Sequence, residues 1–178
     1  MNKEEIIESV QATFTALSNY CESVNEKDFF NKLDNKWSVA ENLQHLILST
    51  NMSTLGYSLP IFLVRIIGGT PNRVSRSFDE LLAKYTTKLA AGATASGRFI
   101  PKPIAINVGK EKLLNNWQSA TRKFIVALQR NRTETDLDNY IVKHPLLGKI
   151  TLRELCYFTI FHTTHHLQSL QKNYGNSK

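Results

Sequence analysis

Phe161-His162-Thr163-Thr164-His165-His166 lies in the last long amphipathic segment of the chain, Thr151 to about Tyr174, and its reading decides the fold. Three of the five histidines fall within five consecutive residues there, with His162 and His166 four apart. Positions i and i+4 of a helix share a face, roughly 5 to 6 Å apart at Cβ, so two imidazoles so placed can close on one metal ion. Thr151-Leu152-Arg153-Glu154 supplies a start signal. It fits a capping box, in which the Thr hydroxyl accepts from one orphan backbone N–H and the Glu carboxylate from another. At about 100° per residue, Leu152, Leu155, Thr159, His162, His166 and Leu170 project into a sector roughly 80° wide. Both imidazoles therefore face other helices, and Gly175 supplies the stop.

Outward from that segment the chain offers partners for it. Ile6, Val10, Phe14, Leu17 and Cys21 form the stripe of an amphipathic helix over residues 3–21. Ser38-Val39-Ala40-Glu41 is a second capping box, opening a helix to about Ser58, just before Pro60. Ser77-Phe78-Asp79-Glu80 is a third, opening a shorter helix of about fourteen residues. Lys110 to about Arg130 is another long helix, with Leu113, Trp117, Ala120, Phe124 and Leu128 at helical spacing and its aromatic residues read as core.

The connections differ in character. From Pro60 the run IFLVRII reads as an apolar extension closed by the turn signal Gly68-Gly69-Thr70-Pro71-Asn72. A polar stretch broken by Phe29, Phe30 and Leu33 ends at Asp34-Asn35-Lys36-Trp37. Gly92 to Gly109 is irregular, with three glycines, Pro101 and Pro103, and a loop that long in a compact domain is functional or mobile. Its place in the chain suits a lid over one end of the bundle. Tyr140-Ile141-Val142 is β-prone and precedes the turn His144-Pro145-Leu146-Leu147-Gly148. Together these predict one all-α domain over residues 1–178: a four-helix bundle with a short extra helix and a long crossover loop.

Composition sets the outer bounds. The chain has 178 residues, of which 42% are hydrophobic and 21% charged, the balance of an ordinary globular domain. Cys21 and Cys156 fit no zinc-ribbon or CxxC spacing, so both read as reduced, buried thiols of a cytoplasmic protein. No apolar leader and no run long enough to span a bilayer are seen, so neither secretion nor a membrane is expected. The formal charge of +7 is spread along the chain without a basic run of five, which describes a solvated surface better than a nucleic-acid stripe.

A catalytic metal site has three protein ligands and an open position, so His162 and His166 need a third donor. His45, on another helix of the bundle, is the best placed in sequence order. It points away from its helix's main stripe of Val39, Leu43, Leu46 and Thr50, towards the side holding Glu41, Leu48, Ser49 and Met52. His165 lies about 100° round from His166 and does not share its ion. Zincins carry Glu directly after the first His; Thr163 stands there, which argues against a metalloprotease. On spacing alone the pair fits a metal site and a coincidence about equally.

Two stretches move that balance. Lys36 to Leu46, KWSVAENLQHL, and His144 to Thr151, HPLLGKIT, running into His162 to Leu167, HTTHHL, resemble the two signature regions of the DinB-like (YfiT-like) superfamily. The resemblance covers the chain in helix order. It implies an up-down-down-up four-helix bundle holding a divalent metal, zinc or nickel, on His45, His162 and His166. Family members often carry Gln three residues after the last ligand, where this chain has Ser169, with Gln168 one place early. Glu41, His165 and Gln168 are thus the candidates for side chains supporting the ligands.

The activity implied by the resemblance is transfer of a low-molecular-weight thiol, such as bacillithiol or glutathione, to electrophilic small molecules. An open metal position suits it, because a nearby cation favours the nucleophilic thiolate. Arg98, Lys102 and Arg153 are placed to hold the carboxylates of such a thiol. The alternatives are a metal-dependent hydrolase of small esters or amides, with Glu41 as the nearest base, and a non-enzymatic, stress-associated metal-binding module. The partners expected are a small-molecule thiol and an electrophile, with a homodimer left open, and neither nucleic acid nor a membrane.

Overall fold

The computed structural model of the protein describes residues 1–34 and 36–175; Asn35, at the end of the polar stretch, and the domain's last residues, 176–178, lie outside the described residues. Four long helices form the bundle: α1 (Lys3–Ser23), α3 (Val39–Ser58), α6 (Lys110–Asn131) and α8 (Leu152–Tyr174). α1 and α3 each pack against both α6 and α8, so α1 and α3 face each other across a diagonal. Three of the four start as their sequences dictate. Asn2, Ser38 and Thr151 each accept from the N–H three residues on, and Glu5, Glu41 and Glu154 reciprocate.

The shorter elements fill the connections. They are α2 (Glu26–Phe30), α4 (Ile61–Gly68), α5 (Phe78–Ala90), α7 (Glu134–Asn139) and an antiparallel hairpin of β1 (Ile141–His144) and β2 (Gly148–Thr151), with Ile141 opposite Thr151 and His144 opposite Gly148. Among the described residues the single short helix expected beside the bundle is thus one of four short α-helices. The apolar run after Pro60 is α4, not an extended segment. It lacks a helical pattern because Val64 is buried while Phe62 and Ile66, on the other side, are also apolar and exposed. α2 and α7 span five and six residues, too short for periodicity to register, and are announced only by the caps Asn25 and Thr133. Among the described residues no single helix is long and apolar enough to cross a membrane; α3 and α4, apolar together, bend by 112° at their junction.

The core explains the order. Trp117 and Phe124 are fully buried, and Phe14 meets both edge-on at centroid distances of 5.1 and 5.8 Å, an arrangement favoured by the ring quadrupoles. The indole N–H of Trp117 donates to Ser18 Oγ at 3.0 Å, so its one polar atom is satisfied. α8 is buried from Leu152 to Thr163 on every side, because α1, α3, α5, α7 and the hairpin all pack on it. α3 is buried from Val39 to Leu46 apart from Gln44, and this presents two faces to protein rather than one.

Candidate metal centre

Helix α3 brings His45, and α8 brings His162 and His166, to one point. One donor nitrogen from each ring lies within 4.8 Å of the other two. The Nε2 atoms of His45 and His162 stand 3.0 Å apart, and the centroids of all three rings lie 4.8 to 5.0 Å from one another. His45 leaves its helix's main stripe and is still buried, since that stripe serves α6 while the His45 side serves α8 and the loop after α5.

Neighbouring groups fix which nitrogen is free on two of the rings. His45 Nδ1 lies 2.6 Å from the Phe99 carbonyl oxygen, which only accepts, so Nδ1 carries the proton and Nε2 a lone pair. Asn42 donates its Nδ2 to the carbonyls of Trp37 and Ser38, which turns its Oδ1 towards His166 Nδ1 at 2.7 Å. His166 therefore also donates from Nδ1 and keeps Nε2 free. The Ser49 hydroxyl stands 3.5 Å from His162 Nδ1. The His45 and His166 rings, held from behind in this way, are oriented and pinned to one tautomer, the arrangement found behind metal ligands.

Burial pushes all three imidazoles below the ordinary histidine range, His162 and His166 furthest, and the neighbouring rings push those two further. At His45 burial outweighs the opposing pull of the Phe99 carbonyl. All three are thus neutral at pH 7, the form that binds a metal. Two neutral nitrogens with free lone pairs, on His45 and His166, and the His162 imidazole beside them are a donor set that fits a divalent cation.

The other expected residues divide. Glu41 is buried, but its carboxylate accepts from the Ser38 N–H and pairs with the Lys32 ammonium at 2.7 Å, so it closes the start of α3. His165 is exposed and stands edge-on to Tyr85 and His166. Gln168 is exposed, and its side chain makes no hydrogen bond among the described residues. Arg98 lines the cleft beside the triad. Lys102 is exposed; its backbone N–H donates to Gln44. Arg153 is no part of a cleft mouth: its guanidinium is held by Glu134, Asp138 and the Met1 carbonyl.

Sequence reasoning missed Asn42, Ser49, Trp37 and the Phe99 carbonyl. Asn42 and Ser49 lie three before and four after His45, on its own face, which was the available signal. Trp37 stacks parallel to His166 at 6.4 Å and tilts against His45 at 5.1 Å. The Phe99 carbonyl had no signal at all, since a backbone oxygen in an irregular loop looks like any other.

The triad opens onto a cleft of about 950 Å³ between α3, α4, α8 and the loop after α5. Its walls are apolar, with Leu55, Leu59, Val64, Leu89, Ile100 and Phe158 among them. Arg98 and Lys143 bring positive charge, and no aspartate or glutamate lines it among the described residues. Ala93 to Ser96 and Arg98 to Ile100 form one wall, so the irregular loop covers this end of the bundle and fixes His45 through Phe99.

The fold belongs to a known class. The chain matches the DinB superfamily over residues 9–170 and is a member of it. Its structure is similar to that of the colibactin self-resistance protein ClbS, determined in complex with double-stranded DNA, with a TM-score of 0.53, 17% identity and 96% of each chain covered. No curated protein sequence matches the chain. The ClbS complex corrects the expectation that nucleic acid is excluded as a partner. That expectation rested on the lack of a motif and of consecutive basic residues, and a helical fold can gather charge from distant positions that no linear scan registers.

Proposed function

We propose that this DinB superfamily protein binds a divalent cation, zinc or nickel, through His45, His162 and His166 and uses it to transfer a low-molecular-weight thiol to an electrophilic small molecule. The observation that carries the reading is the convergence of two lone-pair nitrogens, pinned by Phe99 and Asn42, with His162 at the head of an apolar cleft. A cation held there favours the thiolate form of a thiol presented to it. Arg98 and Lys143 suit the carboxylates such thiols carry, and the apolar walls keep water from the electrophile. The protein's own thiols do not compete: Cys21 and Cys156 are fully buried, and burial pushes both up to about 12. A hydrolase is supported less, since Glu41 is committed to Ser38 and Lys32 and no carboxylate lines the cleft among the described residues.

The test is thiol consumption by the metal-loaded protein with a generic electrophile, alongside metal content. Turnover and bound metal that vanish together in His45→Ala and His162→Ala support the proposal. Full metal occupancy without thiol turnover removes the transferase and leaves a metal-binding module.

A second reading, DNA binding, is favoured by the ClbS complex together with the +7 charge of this chain. Phosphate contacts make such binding fall steeply with salt. Retention on a duplex at about 50 mM salt, lost by about 200 mM, supports it; no retention at either removes it.

A further inference from the structure

We infer that His144, which no part of the metal centre uses, is a fixed hydrogen-bond donor inside the cleft for an uncharged carbonyl oxygen of an apolar ligand. The backbone N–H groups of Leu146 and Leu147 both point at His144 Nδ1, each at 3.2 Å. Backbone N–H groups only donate, so Nδ1 holds a lone pair and the ring proton sits on Nε2. His144 lines the cleft, and its Nε2 takes no protein partner among the described residues. The hairpin thus holds one N–H donor towards an apolar space.

The ring is also placed close to the triad. Phe158 touches both, meeting His144 at an angle of 61° with centroids 4.2 Å apart and stacking on His162 at 4.7 Å. The donor and the nearest imidazole of the triad thus share one aromatic neighbour. Burial holds His144 down to about 4, so at neutral pH the donor is uncharged and suits a neutral acceptor over an anion. An unpaired donor in an apolar site discriminates strongly for ligands carrying the matching acceptor.

On the thiol-transfer reading this identifies the electrophile as a lipophilic α,β-unsaturated carbonyl compound. The thiolate sulfur bonds to the β-carbon, and the C=C π pair moves through to the carbonyl oxygen, where His144 Nε2–H stabilises the developing charge. The proton lost by the thiol returns to the α-carbon, so the thiol adds across the double bond with no redox change.

The donor is tested without turnover. Binding of an unreactive long-chain methyl ketone and of a length-matched alkane is measured calorimetrically on the full chain, with wild type, His144→Asn and His144→Gln. Asn keeps an acceptor where Nδ1 accepts from the turn but has nothing at Nε2; Gln keeps an N–H near Nε2. Ketone affinity is expected to fall about tenfold in His144→Asn and to be largely kept in His144→Gln, with alkane affinity unchanged. Equal ketone affinity in wild type and His144→Asn overturns the inference, as does a ketone that does not bind. Ketone binding that follows this pattern while thiol addition to an enone is absent upholds the donor and sinks only the transferase.

Discussion

The amide oxygen of Asn42 lies 2.7 Å from Nδ1 of His166, joining two helices across 124 residues of sequence. The same amide donates to the Trp37 and Ser38 carbonyls, so it cannot turn over without losing both bonds. Removing it frees the His166 ring and unfixes its tautomer. Asn42→Ala is expected to weaken metal binding about 10- to 100-fold while the bundle stays folded. Competition against a chelator of known affinity reads this directly, and an unchanged metal affinity would falsify the role given to Asn42.

Glu154 ties the start of α8 to the segment before α5. Its carboxylate accepts from the Thr151 and Arg76 N–H groups and takes the Arg73 guanidinium through both oxygens, at 2.6 and 2.8 Å. Burial alone would raise its pKa, but Arg73 and the two N–H groups win and hold it below the usual carboxylate range. A depressed carboxylate stabilises the fold above its unfolded pKa, about 4.3, and that contribution disappears as pH falls through the lower folded value. Glu154→Gln is expected to cost on the order of 2 to 3 kcal/mol at pH 7 and much less near pH 3. Denaturant melts of both proteins across this range provide the check; a difference that does not shrink in acid contradicts the assignment.

The capping boxes carried α3 and α8 into view, because Ser38, Thr151 and their glutamates announce a start from four residues alone, whereas α6 showed only through its apolar spacing. The candidate site was readable only in its three histidines. His162 and His166 share a face by spacing, and His45 was chosen by its place in sequence order and then by its signature region. The groups behind them are set by tertiary geometry: the Phe99 carbonyl reaches His45 from 54 residues away, and the order in which α3, α6 and α8 pack decides that a side chain off the main stripe is buried. The hairpin was half visible, since Tyr140-Ile141-Val142 is β-prone while β2 runs straight into the cap of α8 and offers no separate signal.

Both cysteines are expected to be inert in the folded protein. Cys156 is fully buried against the Tyr57 hydroxyl at 3.1 Å, and Cys21 lies in the core. The reactive thiolate is scarce at neutral pH for thiols raised so far. A chromogenic disulfide reagent at pH 8 is expected to label neither in native protein and both once denaturant is added. Rapid labelling of one thiol without denaturant contradicts the burial and reopens a protein thiol as nucleophile.

Adjacent glycines at the end of α4 are expected to behave differently, and the difference locates the hairpin. A Cβ on Gly68 would collide with the Ile141 carbonyl of β1, whereas one on Gly69 meets only the Lys149 ammonium at 3.9 Å. Gly69 instead has φ of 88°, where a side chain is strained by about 1 to 2 kcal/mol. Gly68→Ala must push β1 away from α4 and is expected to cost roughly 3 kcal/mol, the upper end for overpacking. With about 2 to 4 °C per kcal/mol for a chain of this size, its melting midpoint falls by roughly 6 to 12 °C, against a few degrees for Gly69→Ala. Because β1 ends at His144, Gly68→Ala is also expected to weaken ketone binding while metal affinity at the triad, carried by α3 and α8, stays as in wild type. Equal melting losses at the two positions, or a loss of metal in step with the ketone, would mean that the hairpin is not seated on α4 as the Gly68 contact requires.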